Sequence, residues 1–209
     1  LVSIVPPRPG GTAQIHRTDL VDLHDVVAAT EWLVDGEPPT AHWRVDPDPY
    51  VLVCTNGKHD ACCAVQGRPI VRALRDSPWH EHVWECSHIG GDRFAGNVVL
   101  MPDGLYFGRC TPEGVAAMLA ARDEGRLDMT HLRGRCTLTL EEQAAEHHVR
   151  RELGLDRLDA VVGVERADGQ IAVTVRRDEA TETVLVDVHR TVVSTPDPLT
   201  CKGRADQTY

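Results

Sequence analysis

Tyr50-Val-Leu-Val-Cys-Thr55 and His82-Val-Trp-Glu-Cys86, with a helical stretch between them, decide how this chain folds. Both are apolar runs of strand length that end at or beside a cysteine. The segment 64–75 places Ile70, Val71 and Leu74 on one helical face, with Pro69 near its first turns. In a sheet where the two strands are neighbours, the loops that leave them emerge at the same end. Those loops are Cys54-Thr-Asn-Gly-Lys-His-Asp-Ala-Cys-Cys63 and Cys86-Ser-His-Ile-Gly-Gly-Asp92, and they read as two halves of one metal site.

Downstream, Asn97-Val-Val-Leu-Met101, the turn Pro102-Asp-Gly104 and Leu105-Tyr-Phe-Gly108 predict a hairpin. Thr111 reads as the N-cap of a helix with Pro112 at its first position and Val115, Met118 and Leu119 on its apolar face. The order β-α-β-loop-β-β-α matches a thioredoxin-like layout in which loop 87–96 replaces the middle helix. The expected fold class is therefore α/β, with a thioredoxin-like core over residues 49–136 and a small α+β subdomain appended over 137–209. In the latter, Thr139 and Glu142 form a capping box opening a helix to about Leu153. Strand-like runs follow at 161–165, 171–176 and 183–189, the first two joined by Asp168-Gly169. Residues 1–48, rich in proline with one helical stretch over 19–33, read as an irregular segment packing on the core and carry no assigned chemistry.

A chain of 209 residues can bury a core without disulfide staples, and seven cysteines, two of them adjacent, do not form a secreted disulfide framework. A reducing compartment, the cytoplasm, is expected. No apolar run approaches the ~20 residues that span a bilayer. A formal net charge of −10 argues against nucleic acid as a partner and favours basic proteins.

Thiolate and neutral imidazole bind zinc or iron. Cys54 and Cys63 are nine positions apart, too far for a zinc-knuckle pair, and such a loop suits something larger than one ion, such as an iron–sulfur cluster. Gly57, Gly90, Gly91 and Gly96 would allow the close backbone approach that cluster sulfides need. The stretches VCTNGKHDACCAVQGRPI, ECSHIGGDRFAGNVVLMPDGLYFGR and TPDPLTCKGR resemble the sucrase/ferredoxin-like family, a branch of the thioredoxin-like ferredoxins. The resemblance implies a [2Fe-2S] cluster held by two cysteines and two histidines, at the positions Cys54, Cys63, His88 and Asp92. Asp92 departs from that pattern, and a carboxylate is an uncommon cluster ligand. Cys86 is favoured in its place, with Cys62 as the alternative, giving Cys54, Cys63, Cys86 and His88 as the expected metal ligands. Asp92 is then left to pair with Arg93 or to accept a hydrogen bond from a ligand or a loop amide.

Each of these residues also has an ordinary reading. Buried cysteine is common in cores, and Cys110, Cys136 and Cys201 are taken that way. His59 reads as a supporting or surface residue, Asp60 and Arg93 as loop-bracing charges, His147 and His148 as solvated. Three function classes compete. The first is a non-enzymatic [2Fe-2S] electron carrier that docks with a redox partner, a reductase or an oxygenase, as a monomer or a homodimer. The second is a zinc-stabilised structural domain. The third is a thiol redox sensor, for which Cys62 and Cys63 stand near a helix start. The electron carrier is the leading expectation.

Overall fold

A computed structural model describes residues 2–5, 9–10, 14–19, 22, 44–58 and 61–191. The expected strands and helices all form within that range, and their packing sets up the site. β1 (Val2–Val5), β2 (Gln14–Arg17) and β3 (Arg44–Asp46) make an antiparallel three-stranded sheet. The described part of 1–48 is thus a sheet rather than irregular chain. Its pairing joins segments nearly thirty residues apart, from Gln14–Arg17 to Arg44–Asp46, which no local pattern announces. The helical stretch expected at 19–33 lies outside the described residues.

The central sheet has the order β5-β4-β6-β7-β8, built from β4 (Tyr50–Cys54), β5 (Val83–Cys86), β6 (Val98–Met101), β7 (Leu105–Phe107) and β8 (Leu132–Arg135). β4 pairs parallel with β5 and antiparallel with β6, and β6–β7–β8 continue antiparallel. This is the thioredoxin-like arrangement expected from the element order, extended by β8. β8 escapes sequence reading because Leu-Arg-Gly-Arg carries one apolar residue and no alternation.

Helices α1 (Ala61–Leu74) and α2 (Val115–Asp123) pack with this sheet. Val51, Val53, Val98, Leu100, Leu105 and Phe107 from the strands meet Ile70, Leu74, Val115, Met118 and Leu119 from the helices in one buried cluster. α1 begins three residues before the expected Ala64, so Pro69 falls in its interior, where it lacks the amide that would bond the carbonyl of Val65. The close approach to β4 fixes another residue of this helix. A Cβ on Gly67 would sit 2.1 Å from the carbonyl oxygen of Cys54. α2 begins later than expected, because Thr111 caps a turn instead. Its hydroxyl accepts the Gly114 amide at 3.0 Å, and the helix starts at Val115.

α3 (Leu140–Leu153) opens on the expected capping box, with Thr139 and Glu142 bonded reciprocally. It packs on the antiparallel sheet of β9 (Val161–Ala167), β10 (Gln170–Arg177) and β11 (Ala180–Val186) through Ala145, Val149, Val164, Ile171 and Val173, a second buried cluster. Asp168 and Gly169 turn β9 into β10 with positive φ at both positions. The two clusters are joined by ions as well as by chain. Arg135 of β8 and Arg150 of α3 both bond the Glu146 carboxylate, at 3.3 and 2.9 Å, and all three side chains are buried. The remaining guanidinium protons of Arg150 meet the carbonyls of Leu155, Arg157 and Leu158.

Candidate metal centre

Cys54 and Cys86 face each other in register at the ends of parallel β4 and β5. Register partners on neighbouring parallel strands project to the same face of the sheet, with backbones about 4.8 Å apart. The Thr55 amide donates to the Cys86 carbonyl at 3.2 Å and ties the two loop starts together. Cys62 and Cys63 lie in the first turn of α1. Cys63 is buried, its thiol within hydrogen-bond reach of Cys54 and donating to Asp92 Oδ1 at 3.4 Å. The Cys62 thiol donates to the Asp92 carbonyl at 3.5 Å. His88 stands on the rim, half exposed, with Nδ1 3.8 Å from Asp92 Oδ1.

Asp92 is therefore a hub of the site rather than a partner of Arg93, whose guanidinium lies over the Phe94 ring instead. The carboxylate is buried, and it accepts a hydrogen bond from an expected ligand, one of the two roles anticipated for it. Sequence reading missed two residues that shape the loop. Asn97, buried at the start of the hairpin, donates to the Gly91 carbonyl at 3.0 Å. Arg133 of β8 donates to Asn97 Oδ1 at 2.8 Å and to the Gly90 carbonyl at 3.3 Å. Gly90 and Gly91 take consecutive left-handed conformations, φ 77° and 76°, which side chains would strain. Gly57 has no such conformation; a Cβ there would touch Ala64 at 3.0 Å.

Burial, reinforced by the Cys54 thiol and the Asp92 carboxylate, pushes Cys63 far above the ordinary thiol range. Burial and then the charge of Cys54 push Cys86 up to about 11. Both are protonated near neutral pH and so are weak nucleophiles. A bound cation would reverse that balance and hold them as thiolates. Cys110 is core filler as expected, buried with its thiol 3.9 Å from the Met118 sulfur, and burial raises it to about 12. Cys136 is exposed, not a core residue. His59, Asp60 and Cys201 lie outside the described residues, and no disulfide joins the described cysteines.

The donor types suit an iron–sulfur cluster: three thiols converge from two strand ends and a helix start, with an imidazole at the rim. Among the described residues, however, no group of three or more Cys, His, Asp or Glu is set around a single ion. No described helix is long and apolar enough to cross a membrane.

Comparison with known proteins adds a family and a set of relatives. The sucrase/ferredoxin-like family profile matches residues 10–134. Altered inheritance of mitochondria protein 32 from Candida glabrata is 29% identical over 105 residues, 44% of this chain and 34% of that protein. Its namesake from Saccharomyces kudriavzevii is 24% identical over 132 residues, 57% of this chain and 37% of that protein. The chain thus spans about a third of the length of these relatives. Among solved structures, the thioredoxin-like [2Fe-2S] ferredoxin from Aquifex aeolicus superposes with a TM-score of 0.37 at 17% identity, covering 42% of this chain and 92% of that one. A cysteine-to-serine variant of the same ferredoxin gives 0.38 at 16%, covering 42% and 100%.

These findings correct the expected function. The curated relatives carry the name of a protein of altered mitochondrial inheritance rather than of a ferredoxin, and the described residues form no ready ion cage. The reading as an electron-transfer protein is withdrawn. Its zinc-stabilised alternative needs a closed tetrahedral set of donors that the described residues do not form. The thiol-sensor alternative rests on Cys62 and Cys63 and needs a lowered thiol pKa, whereas burial raises Cys63.

Proposed function

The chain belongs to the sucrase/ferredoxin-like family, and on that premise we propose that it is a cluster-binding protein whose Cys54, Cys63 and Cys86 take up a [2Fe-2S] group, with His88 as the fourth donor. The proposal concerns binding, not the shuttling of electrons. The observation that carries it is the register pairing of Cys54 with Cys86 and the Cys63 thiol that reaches Cys54 from α1. Three soft donors from separated segments converge there at the mouth of a loop held open by Gly90 and Gly91. Deprotonation of the raised thiols is the cost of binding, and the metal charge offsets it. Asp92 then loses the Cys63 proton it accepts and keeps its place beside His88.

A reducing compartment accords with unbridged thiols. The cytoplasm is proposed, and fractionation against mitochondria, which the relatives' name evokes, tests it. A protein partner and pairing of two copies are proposed as well.

The test is anaerobic purification, or reconstitution with iron and sulfide, followed by the visible spectrum and by iron, sulfide and zinc analysis. Broad charge-transfer bands with iron and sulfide in equal amounts are expected, lost in Cys54→Ser and Cys63→Ser and shifted in His88→Cys. A colourless protein without iron after reconstitution would sink the proposal.

A further inference from the structure

Beside loop 87–96, three guanidinium groups surround one aromatic ring. Their central carbons lie 4.5 Å (Arg133), 4.6 Å (Arg93) and 5.6 Å (Arg109) from the centre of the Phe94 ring. Arg133 also faces Tyr106 at 5.9 Å. Each cation is attracted to the ring, but the three repel one another. Burial and then the neighbouring Arg93 charge lower the Arg133 pKa.

Several other arginines of the chain have acidic neighbours. Arg17, Arg44, Arg122, Arg126, Arg157 and Arg190 each pair with a carboxylate. Among the described residues, no ion pair involves Arg93, Arg109 or Arg133. Acidic residues are not scarce, at 32 against 22 basic ones. The backbone is strained here too. Arg109 holds φ 58°, a left-handed conformation costly for a residue with a side chain, while its amide donates to the Phe94 carbonyl at 2.9 Å. Arg133 fixes the cluster to loop 87–96 through Asn97 and Gly90. Arg93 and Arg109 remain exposed.

We infer that Arg93, Arg109 and Arg133, gathered on Phe94, form a docking patch for an acidic segment of a partner protein that presents two or more carboxylates. Charge complementarity carries this, because three guanidiniums gather within 5.6 Å of one ring centre, a density of positive charge that a segment with several carboxylates matches. Arginine with an aromatic residue is also the composition enriched at the centres of protein interfaces. The net charge of the whole chain points to a basic partner, whereas the surface beside the thiols has the opposite polarity. The inference stands whether or not a cluster binds.

The test is fluorescence anisotropy of a labelled deca-glutamate peptide, titrated with the full chain at about 50 mM salt, where screening is weak. The Arg93→Gln/Arg109→Gln variant is expected to bind about tenfold more weakly and with a shallower salt dependence. A control carrying Arg166→Gln and Arg177→Gln, exposed on β9 and β10, should change affinity by less than about twofold. Circular dichroism and the melting temperature of each variant establish that it is folded. Equal loss in both variants, unchanged affinity in the patch variant or no saturable binding overturns the inference. So does displacement of the peptide by inorganic pyrophosphate at equal concentration, which would make the patch a small-anion site.

Discussion

Arg133 and Arg135 are two residues apart on β8, yet they serve different neighbours in opposite electrostatic ways. Arg135 is buried and shares the Glu146 carboxylate with Arg150, which is itself 1% exposed. Arg133 is half-buried on Phe94 beside two further arginines, with no ion pair among the described residues. A counter-charge makes the first group a weld between α3 and the central sheet. Its absence leaves the second group a brace for the thiol loop and a cationic surface. Residue type does not decide which role an arginine takes here; the supply of carboxylate does.

The largest effect should come from removing that supply. Glu146→Gln leaves two buried guanidiniums without their counter-charge, and a loss of about 3–5 kcal/mol in urea unfolding is expected. Replacing the three together by Arg135→Met, Glu146→Leu and Arg150→Met should recover that loss, because apolar packing removes the unpaired charge instead of exposing it. If the triple variant is as unstable as the single, the weld depends on something other than charge. Next is Arg133→Met, which strips a donor from the Asn97 side chain and the Gly90 carbonyl and should cost about 1–2 kcal/mol. It should also speed amide exchange in loop 87–96 while leaving α3 unaffected. Thr139→Ala removes the cap of the helix that carries Glu146 and should cost about 1 kcal/mol. Arg93→Gln should stay within about 0.5 kcal/mol of the parent in the same assay. A loss above about 1 kcal/mol would mean that the exposed cation supports the fold, and the contrast between the two groups would fail.

Much of this arrangement was readable in the sequence where apolar pattern and local chemistry coincide. The runs ending at Cys54 and Cys86 form neighbouring strands, and Thr139 with Glu142 caps α3, because each signal lies within a few adjacent residues. β8 was not readable, since half of its residues are arginines whose partners sit on Phe94 and on α3. Thr111 announced a cap but closes only a turn, as its hydroxyl meets Gly114 before the helix begins. At the site, cysteines following strands marked themselves, whereas Asp92 was marked only as a departure from the family's pattern with two roles left open. Its importance comes from burial and from the Cys63 thiol pointing at it, neither of which a residue type discloses. Asn97 looked like the start of a strand; its side chain holds the glycine loop.

The shared carboxylate of Glu146 also bears on interchangeability. Residues after β8 look like a cassette, with their own helix, sheet and buried cluster. A chimera that joined a foreign cassette at this junction would strand Arg135 in an apolar seam unless the newcomer brought an acid to the same place. The two halves can therefore diverge in sequence almost everywhere, but at that point they must be inherited as a pair.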